Sequence, residues 1–459
     1  MRQLVAQVTT LIVMATASVR GQDLSARLDS VMRVAERDGF SGVVRIERAG
    51  VTVLEQGYGL ANRAEKIPFT PATVVQIGSN TKDFTTVASL QLVQAGRLHL
   101  ADSIGRYFPS APAAKRAITI AQLMNHRAGF PLGIGGDFDA LSRRQFVDTA
   151  MRTTLLFAPG ARESYSNTGY SLLTAIIEQV TGTTYDAYVR DAILAPLGLT
   201  RTGLLLPGFK PVELAHGYLA TGADHGTFLE KPHAADGPYW NLRGNGGMLS
   251  TAGEMHAFYA ALFGSDKLLR PATRALQFNP EEPIGLAGSD GVNFFLYERL
   301  PRMRTEIIIA STNAALQAPM VRRELGKVLN LPDPDGGGGG GDDAVAAKPG
   351  AKPAPAAVAD VIRALVAVVN ANDGAALRRF IAEHFASGAG EPTVEERADR
   401  IGGLHARLGI LTVEHVDTFD DGSVEATLKS TLLGKVILLP SMDRSAPYRV
   451  HGVRVRVGG

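Results

Sequence analysis

Cysteine is absent from the 459 residues. That excludes disulfides, a thiolate nucleophile, thiolate metal sites and lipid attachment at cysteine. An excess of charge of either sign is also missing: 47 Lys and Arg stand against 45 Asp and Glu, for a net charge of +2. Nothing in that balance attracts nucleic acid, so no nucleic-acid partner is expected. The apolar N-terminal stretch LVAQVTTLIVMATASV is too short and too polar for a membrane span. No Gly-x-Ser-x-Gly occurs, which counts against an α/β-hydrolase nucleophile elbow. Gly244, Gly246 and Gly247 lack phosphate-loop spacing, and there is no internal repeat.

What is present is a folding composition, 45% hydrophobic and 20% charged, in a chain too long for one ordinary core. Met1-Arg2, the apolar stretch after it and the small-residue endings Ala15-Thr16-Ala17 and Val19-Arg20-Gly21 read as a secretory signal over 1–21. The mature protein is then expected to be periplasmic or secreted, with no membrane anchor once the signal is removed. A first domain is expected over 22–331. Apolar residues at 24, 28, 31, 32 and 35 predict a helix, and the β-branched runs 42–48 and 51–57 flank Ala49-Gly50 as a tight hairpin. Helices are predicted after Ser79, over 118–126, over 166–182, and after the glycine-rich turn at 244. Two strands, 292–297 and 305–313, close the region. Strands, then helices, then strands predict an α+β fold: one antiparallel sheet, its edge built from both ends of the chain, flanked by helices.

Residues 332–357, PDPDGGGGGGDDAVAAKPGAKPAPAA, read as a Gly/Pro-rich linker with a flexible span of roughly 25–30 Å. Residues 358–459 follow as three helix-like segments and then four alternating runs, a small α+β domain.

The chemistry-bearing stretch is IGSNTKDFTT, 77–86. A serine hydroxyl needs a base within hydrogen-bond reach to act as a nucleophile. Residues three apart on a helix share a face, so Lys82 would stand one turn from Ser79. Other positive charge and burial would ease the lysine's loss of a proton. The N–H groups of a helix start favour negative charge, and the Ser79 N–H could stabilise an oxyanion. Composition alone gives about one Ser-x-x-Lys in a chain this long, so the match needs context. Gly78 before it and an apolar helix after it place the pair at a buried boundary. A Tyr-x-Asn could add a phenol as proton shuttle and an amide to hold the lysine. It occurs twice, at Tyr165-Ser166-Asn167 and Tyr239-Trp240-Asn241, and pattern alone does not choose between them.

Seven segments in order resemble the serine β-lactamase and penicillin-binding-protein-like hydrolases, in particular the class C β-lactamase, esterase and D-aminopeptidase branch. They are SGVVRIERAGVTVLEQGYG, PFTPATVVQIGSNTKDFT, ITIAQLMNHRAGFP, FAPGARESYSNTGYSLLTAIIEQVTG, APLGLTRTG, GNGGMLSTAGEMHAFYAAL and IIIASTN. The resemblance covers about 25–330 and selects Tyr165, because the family's Tyr-x-Asn follows a Phe-x-Pro-Gly loop. It implies Ser79 as the acylated nucleophile, Lys82 and Tyr165 sharing acid and base work, and Asn167 orienting Lys82 and a substrate amide. Which of Lys82 and Tyr165 takes the first proton stays open.

The third family triplet, Lys-Thr-Gly or His-x-Gly, is replaced by Leu286-Ala287-Gly288. Gly288 would let substrate lie along its strand, and the Ser289 N–H would be the second oxyanion donor. The cationic side chain is gone, so neutral esters and amides are expected over classical β-lactams. Asp290 points the same way, or is a turn residue. Trp240 and Tyr239 are expected at the pocket mouth, with a core role as the alternative, and His126 as a structural histidine. His216, His225 and His233, with Asp224 and Asp236, have no regular metal spacing; neither metal nor cofactor is expected. The tail loosely resembles nuclear-transport-factor-like (cystatin-like) domains, which implies a binding or spacing role. The activity implied is an exported serine hydrolase acting through an acyl-enzyme on a small-molecule or peptide substrate. The competing reading is a non-catalytic descendant that binds cell-wall peptide or a protein partner.

Overall fold

The computed structural model describes residues 23–204, 208–219, 222–231, 239–289, 292–312, 317–332, 352–387 and, with short gaps, 393–457. The expected signal segment, residues 333–351 of the expected linker, Asp290, His233 and Asp236 lie outside those residues. The chain forms two compact units, the first ending near Pro332.

In the first unit, helix α1 (23–37) leads into the hairpin of β1 (Gly42–Arg48) and β2 (Val51–Tyr58). Ala49 and Gly50 both have positive φ, 54° and 81°, as a two-residue turn matched to strand twist requires. Helices α2 (Thr81–Gln94), α3 (Asn167–Thr181) and α4 (Ala252–Gly264) follow. Then come β3 (Ile284–Ser289), β4 (Phe294–Leu300), β5 (Thr305–Ser311) and helix α5 (Gln317–Leu329).

The five strands form one antiparallel sheet in the order β2-β1-β5-β4-β3. The α+β class is as expected, with one correction. The two ends of the chain meet at the centre of the sheet, β1 on β5, with Ile46 opposite Ile307. The reason is that both strands are apolar on both faces and so must be covered on both. Val44, Ile46, Ile307 and Ile309 pack with Leu28 and Met32 of α1 and Val321 and Leu325 of α5. Val43, Ile308 and Ala310 face the opposite way, into the larger core that includes Phe84, Ile176 and Phe258.

Capping fixes the helices near the site. Thr119 and Gln122 form a capping box at the head of Ile120–Met124. Ser166 caps α3 by accepting from Gly169 N, and Gly182, at φ 74°, ends it. A short pairing of Val75–Gln76 with Leu249–Ser250 leads the chain into the turn that carries Ser79.

The second unit has its own core, which includes Ile362, Leu365, Phe380, Leu428 and Val436. Helices α6 (Ala356–Ala371), α7 (Gly374–His384) and α8 (Val394–Gly402) precede four of the five strands of a sheet. Its order is β6 (Lys352–Pro353), β7 (Leu411–Thr418), β8 (Val424–Ser430), β9 (Gly434–Met442) and β10 (Val450–Val457). Asn370 ties helix to sheet, donating to Leu411 O at 2.8 Å and accepting from Leu411 N at 2.9 Å. Lys352 and Pro353, read as linker, instead pair with Thr418 and Asp417. An extended Pro-containing dipeptide serves well as an edge strand, which composition alone does not distinguish from linker.

Candidate active site

Gly78, at φ 51°, opens a 3-10 turn, Gly78–Asn80, that runs straight into α2. The turn puts Ser79 at the helix start, and the first N–H groups of a helix have no acceptor within it. Lys82, one turn on, is buried at 6% exposure. Its Nζ lies 3.1 Å from Ser79 Oγ. Tyr165, from the loop before α3, donates its hydroxyl to the same Ser79 Oγ at 2.7 Å. Its ring lies 4.7 Å from Lys82 Nζ. Residues 79, 82 and 165 therefore meet around one oxygen atom. Tyr165 is 39% exposed, so it forms the solvent side of the cluster and Lys82 the protein side.

Burial lowers the pKa of the Lys82 amine to about 7, against the opposing pull of Asp83 and Asp137. The same amine donates to Asn245 O at 2.7 Å. This bond is the site's main surprise: Asn245, not Asn167, holds the lysine. The turn that carries Asn245 is itself clamped. Its Nδ2 donates to Ser171 Oγ at 2.8 Å and to Asn241 O at 2.7 Å. Neighbouring Arg243, 1% exposed, lies 3.5 Å from Glu178 and stacks over the Trp240 ring at 4.5 Å. Sequence reasoning missed Asn245 because the acceptor is a backbone carbonyl, which any residue supplies. Only the glycines around it, at 244, 246 and 247, hinted at a tight turn.

Asn167 starts α3, and its N–H donates to Leu132 O at 2.8 Å. Its side-chain Oδ1 is buried without a hydrogen-bond partner. A buried unsatisfied amide oxygen is costly, and an incoming N–H would relieve it. His126 backs the Tyr165 ring, centroid to centroid 4.5 Å. Its Nδ1 accepts from Ser166 N at 3.1 Å. Burial, and then the Lys82 charge, lower its pKa to about 4, so the ring is neutral at pH 7.

Leu286-Ala287-Gly288 lies on β3, the sheet edge beside the serine turn, with Gly288 opposite Phe295. A Cβ at Gly288 would stand 2.4 Å from Ile77 O and 2.5 Å from Ser79 N. A Cβ at Gly78 would stand 2.9 Å from Ser289 N. The two backbones touch here, which requires glycine on both sides. The contact brings the backbone nitrogens of Ser79 and Ser289 to one place, the arrangement an oxyanion hole needs. Leu286 packs against the main core. A Gly288→Ala variant must push β3 off the serine turn. We expect kcat/KM on a short-chain nitrophenyl ester to fall about 10²-fold, with a lower melting temperature by circular dichroism.

Of the two readings of Trp240 and Tyr239, the pocket mouth fails and the core holds. Trp240 and Tyr239 do not line the mouth; both are fully buried. Trp240 sits in the main core, stacked with Phe146 at 6.1 Å, and the Tyr239 hydroxyl donates to Phe228 O at 3.0 Å and to Lys231 O. A large aromatic next to a polar loop removes more apolar area from water by turning inward. No group of metal-ligating side chains is found among the described residues. His216 instead bridges Asp224, at 3.0 Å, and Asn62, at 3.1 Å.

The Beta-lactamase family model matches residues 28–299, more than half of the chain. The chain therefore belongs to the Beta-lactamase family. Among curated relatives, a putative D-alanyl-D-alanine carboxypeptidase of Escherichia coli O157:H7 is 33% identical over 202 residues, 39% of this chain and 46% of that protein. The putative penicillin-binding protein PbpX of Bacillus subtilis (strain 168) is 30% identical over 258 residues, 56% of this chain and 62% of that protein. The match thus spans less than two thirds of either relative. Among solved structures, the octameric penicillin-binding protein homologue from Pyrococcus abyssi aligns with a TM-score of 0.58 at 19% identity. That alignment covers 91% of this chain and 90% of that one, a likeness of fold.

Proposed function

We infer that the chain is a serine hydrolase that works through an acyl-enzyme on small neutral esters or on amides and peptides of D-amino acids, in preference to classical β-lactams. The observation that carries this reading is the single oxygen, Ser79 Oγ, placed 3.1 Å from Lys82 Nζ and 2.7 Å from Tyr165 Oη. A neutral Lys82 amine accepts the Ser79 proton as Oγ attacks the substrate carbonyl. The N–H groups of Ser79 and Ser289 take the developing oxyanion. Tyr165, on the open side, passes a proton to the leaving group. Water then attacks the acyl-enzyme with the same groups in reverse. Asn167 Oδ1 accepts from the substrate amide. Leu286 in place of a cationic side chain leaves no partner on β3 for a substrate carboxylate, which supports neutral substrates.

Export rests on the basic, apolar and small-residue order of residues 1–21. Among the described residues, no helix is long and apolar enough to cross a membrane. The second unit we read as a nuclear-transport-factor-like binding or spacing module, supported by its helices-then-sheet order. A panel of short-chain nitrophenyl esters, D-alanyl peptides and nitrocefin tests the reading. Turnover of esters or D-peptides well above nitrocefin is expected; nitrocefin as the preferred substrate would contradict the inferred specificity. Tyr165→Phe should cost about 10²–10⁴-fold in kcat/KM on the best substrate while Ser79 stays reactive, because a shuttle is lost and not the nucleophile.

A further inference from the structure

Asp83 is a charged residue beside the site to which the reaction above gives no task. It lies in the first turn of α2, directly after Lys82, and is partly buried. Tyr259 of α4 donates its hydroxyl to Asp83 Oδ2 at 2.7 Å, and the same hydroxyl lies 3.2 Å from Asn80 Oδ1. Asn80, between the serine and the lysine, donates to Ile77 O at 3.0 Å and to Phe295 O of β4 at 3.4 Å. The serine turn is thus bolted to α4 and to the sheet through three polar side chains. The Tyr259 ring stacks on Tyr297 at 3.6 Å. Beyond that ring, Tyr297 donates to Glu306 at 3.2 Å, Glu306 meets His256 at 2.6 Å and Arg45 at 3.5 Å, and His256 reaches Glu47 at 3.4 Å.

We propose that Asp83 is a positioning residue for acyl transfer: through the Tyr259 hydroxyl it locks the serine turn to α4, and its carboxylate sets the pH window in which Lys82 can accept a proton. This rests on the reading of Lys82 as base. Among the described residues, these charged and titratable groups act on the pair or on the rings around it. Tyr259 comes from α4, Tyr297 from β4, Tyr170 from α3, Tyr165 from the loop before it, and His126 and Asp137 from the loops after Ile120–Met124. Burial pushes Tyr170, Tyr259 and Tyr297 up, so they stay neutral across the working range, and His126 is neutral above about pH 4. Burial also pushes Asp83 up to about 6, partly offset by the Tyr259 hydrogen bond and the Lys82 charge. Asp83 in turn raises Lys82 against its burial. As neighbours in the first turn of α2, the two groups titrate as a pair.

The sign follows. An ionised Asp83 stabilises the ammonium form of Lys82, so it holds the acid limb of the rate profile at higher pH. Asp83→Asn keeps an acceptor for Tyr259 and removes the charge, so the acid limb of kcat/KM should move down by about one pH unit. Tyr259→Phe keeps the ring stack and removes the donor that favours ionised Asp83. Its limb should move the same way by less.

The experiment is the kcat/KM profile on a nitrophenyl ester from pH 5 to 9 for the full chain and both variants, with fluorophosphonate labelling of Ser79 at the alkaline plateau. Acid limbs displaced downward, with Ser79 still labelled, support the proposal. An Asp83→Asn limb at the wild-type pH, even with a lowered plateau, would overturn it and leave Asp83 a structural residue. If Asp83→Asn does not fold, the Tyr259→Phe limb decides by the same criterion. Loss of the base itself is a separate result: unlabelled Ser79 in the wild-type chain sinks the hydrolase reading, not the assignment of Asp83.

Discussion

Ser79→Ala lowers kcat/KM on every responsive substrate of the panel by about 10⁴-fold or more, and leaves the melting temperature within a few degrees of wild type. The magnitude follows from the loss of the hydroxyl assigned to form the acyl bond; what remains is binding and the oxyanion donors. The small effect on stability follows from the local structure. Among the described residues, Ser79 Oγ bonds to Tyr165 and Lys82, neither of which fixes the turn. The turn itself is kept by Gly78, by Asn80 and by the β3 backbone, none of which the substitution touches. Steady-state kinetics with a thermal melt check both halves. Wild-type rates in the alanine variant would place the nucleophile elsewhere.

Lys82→Met should cost about 10³–10⁴-fold in kcat/KM, and it should make the protein more stable at neutral and acid pH. The second statement comes from linkage. The folded amine titrates near 7, while an amine in the unfolded chain titrates near 10.4. Below about pH 7 both states carry the proton, and the folded state bears the full cost of a buried ammonium. Between about 7 and 10 the unfolded chain holds a proton that the folded protein does not, so wild-type stability rises with pH. Methionine removes the ammonium at similar length. The variant should therefore melt above wild type at pH 6, with the gap closing toward pH 10. A variant less stable than wild type at pH 6 would show that the amine's bonds to Ser79 and Asn245 outweigh its burial.

Much of this site could be read before any coordinates. Ser79 and Lys82 are three apart at the head of an apolar helix, and local periodicity fixes their common face. The hairpin at Ala49-Gly50 and the helix over 166–182 are local features too, and the sequence places them to within a residue or two. What the sequence hid is long-range or backbone chemistry. Asn245 acts through its carbonyl, and nothing in a side-chain pattern marks one carbonyl above another. Trp240 and Tyr239 sit in a second Tyr-x-Asn, and their inward turn depends on Phe146 and Phe228, remote in sequence. The central pairing of β1 with β5 joins residues more than 250 apart, which no local pattern records. The link from Asp83 to Tyr259 has the same character: a ring one hundred and seventy-six residues away decides what the carboxylate does.

The most direct measurement is peptide mass mapping after fluorophosphonate trapping of the full chain. One adduct is expected, on the hydroxyl of Ser79 in IGSNTKDFTT, formed faster as pH rises through about 7 and absent from Ser79→Ala. An adduct on another residue, or one that persists in Ser79→Ala, would contradict the assignment of Ser79 as nucleophile.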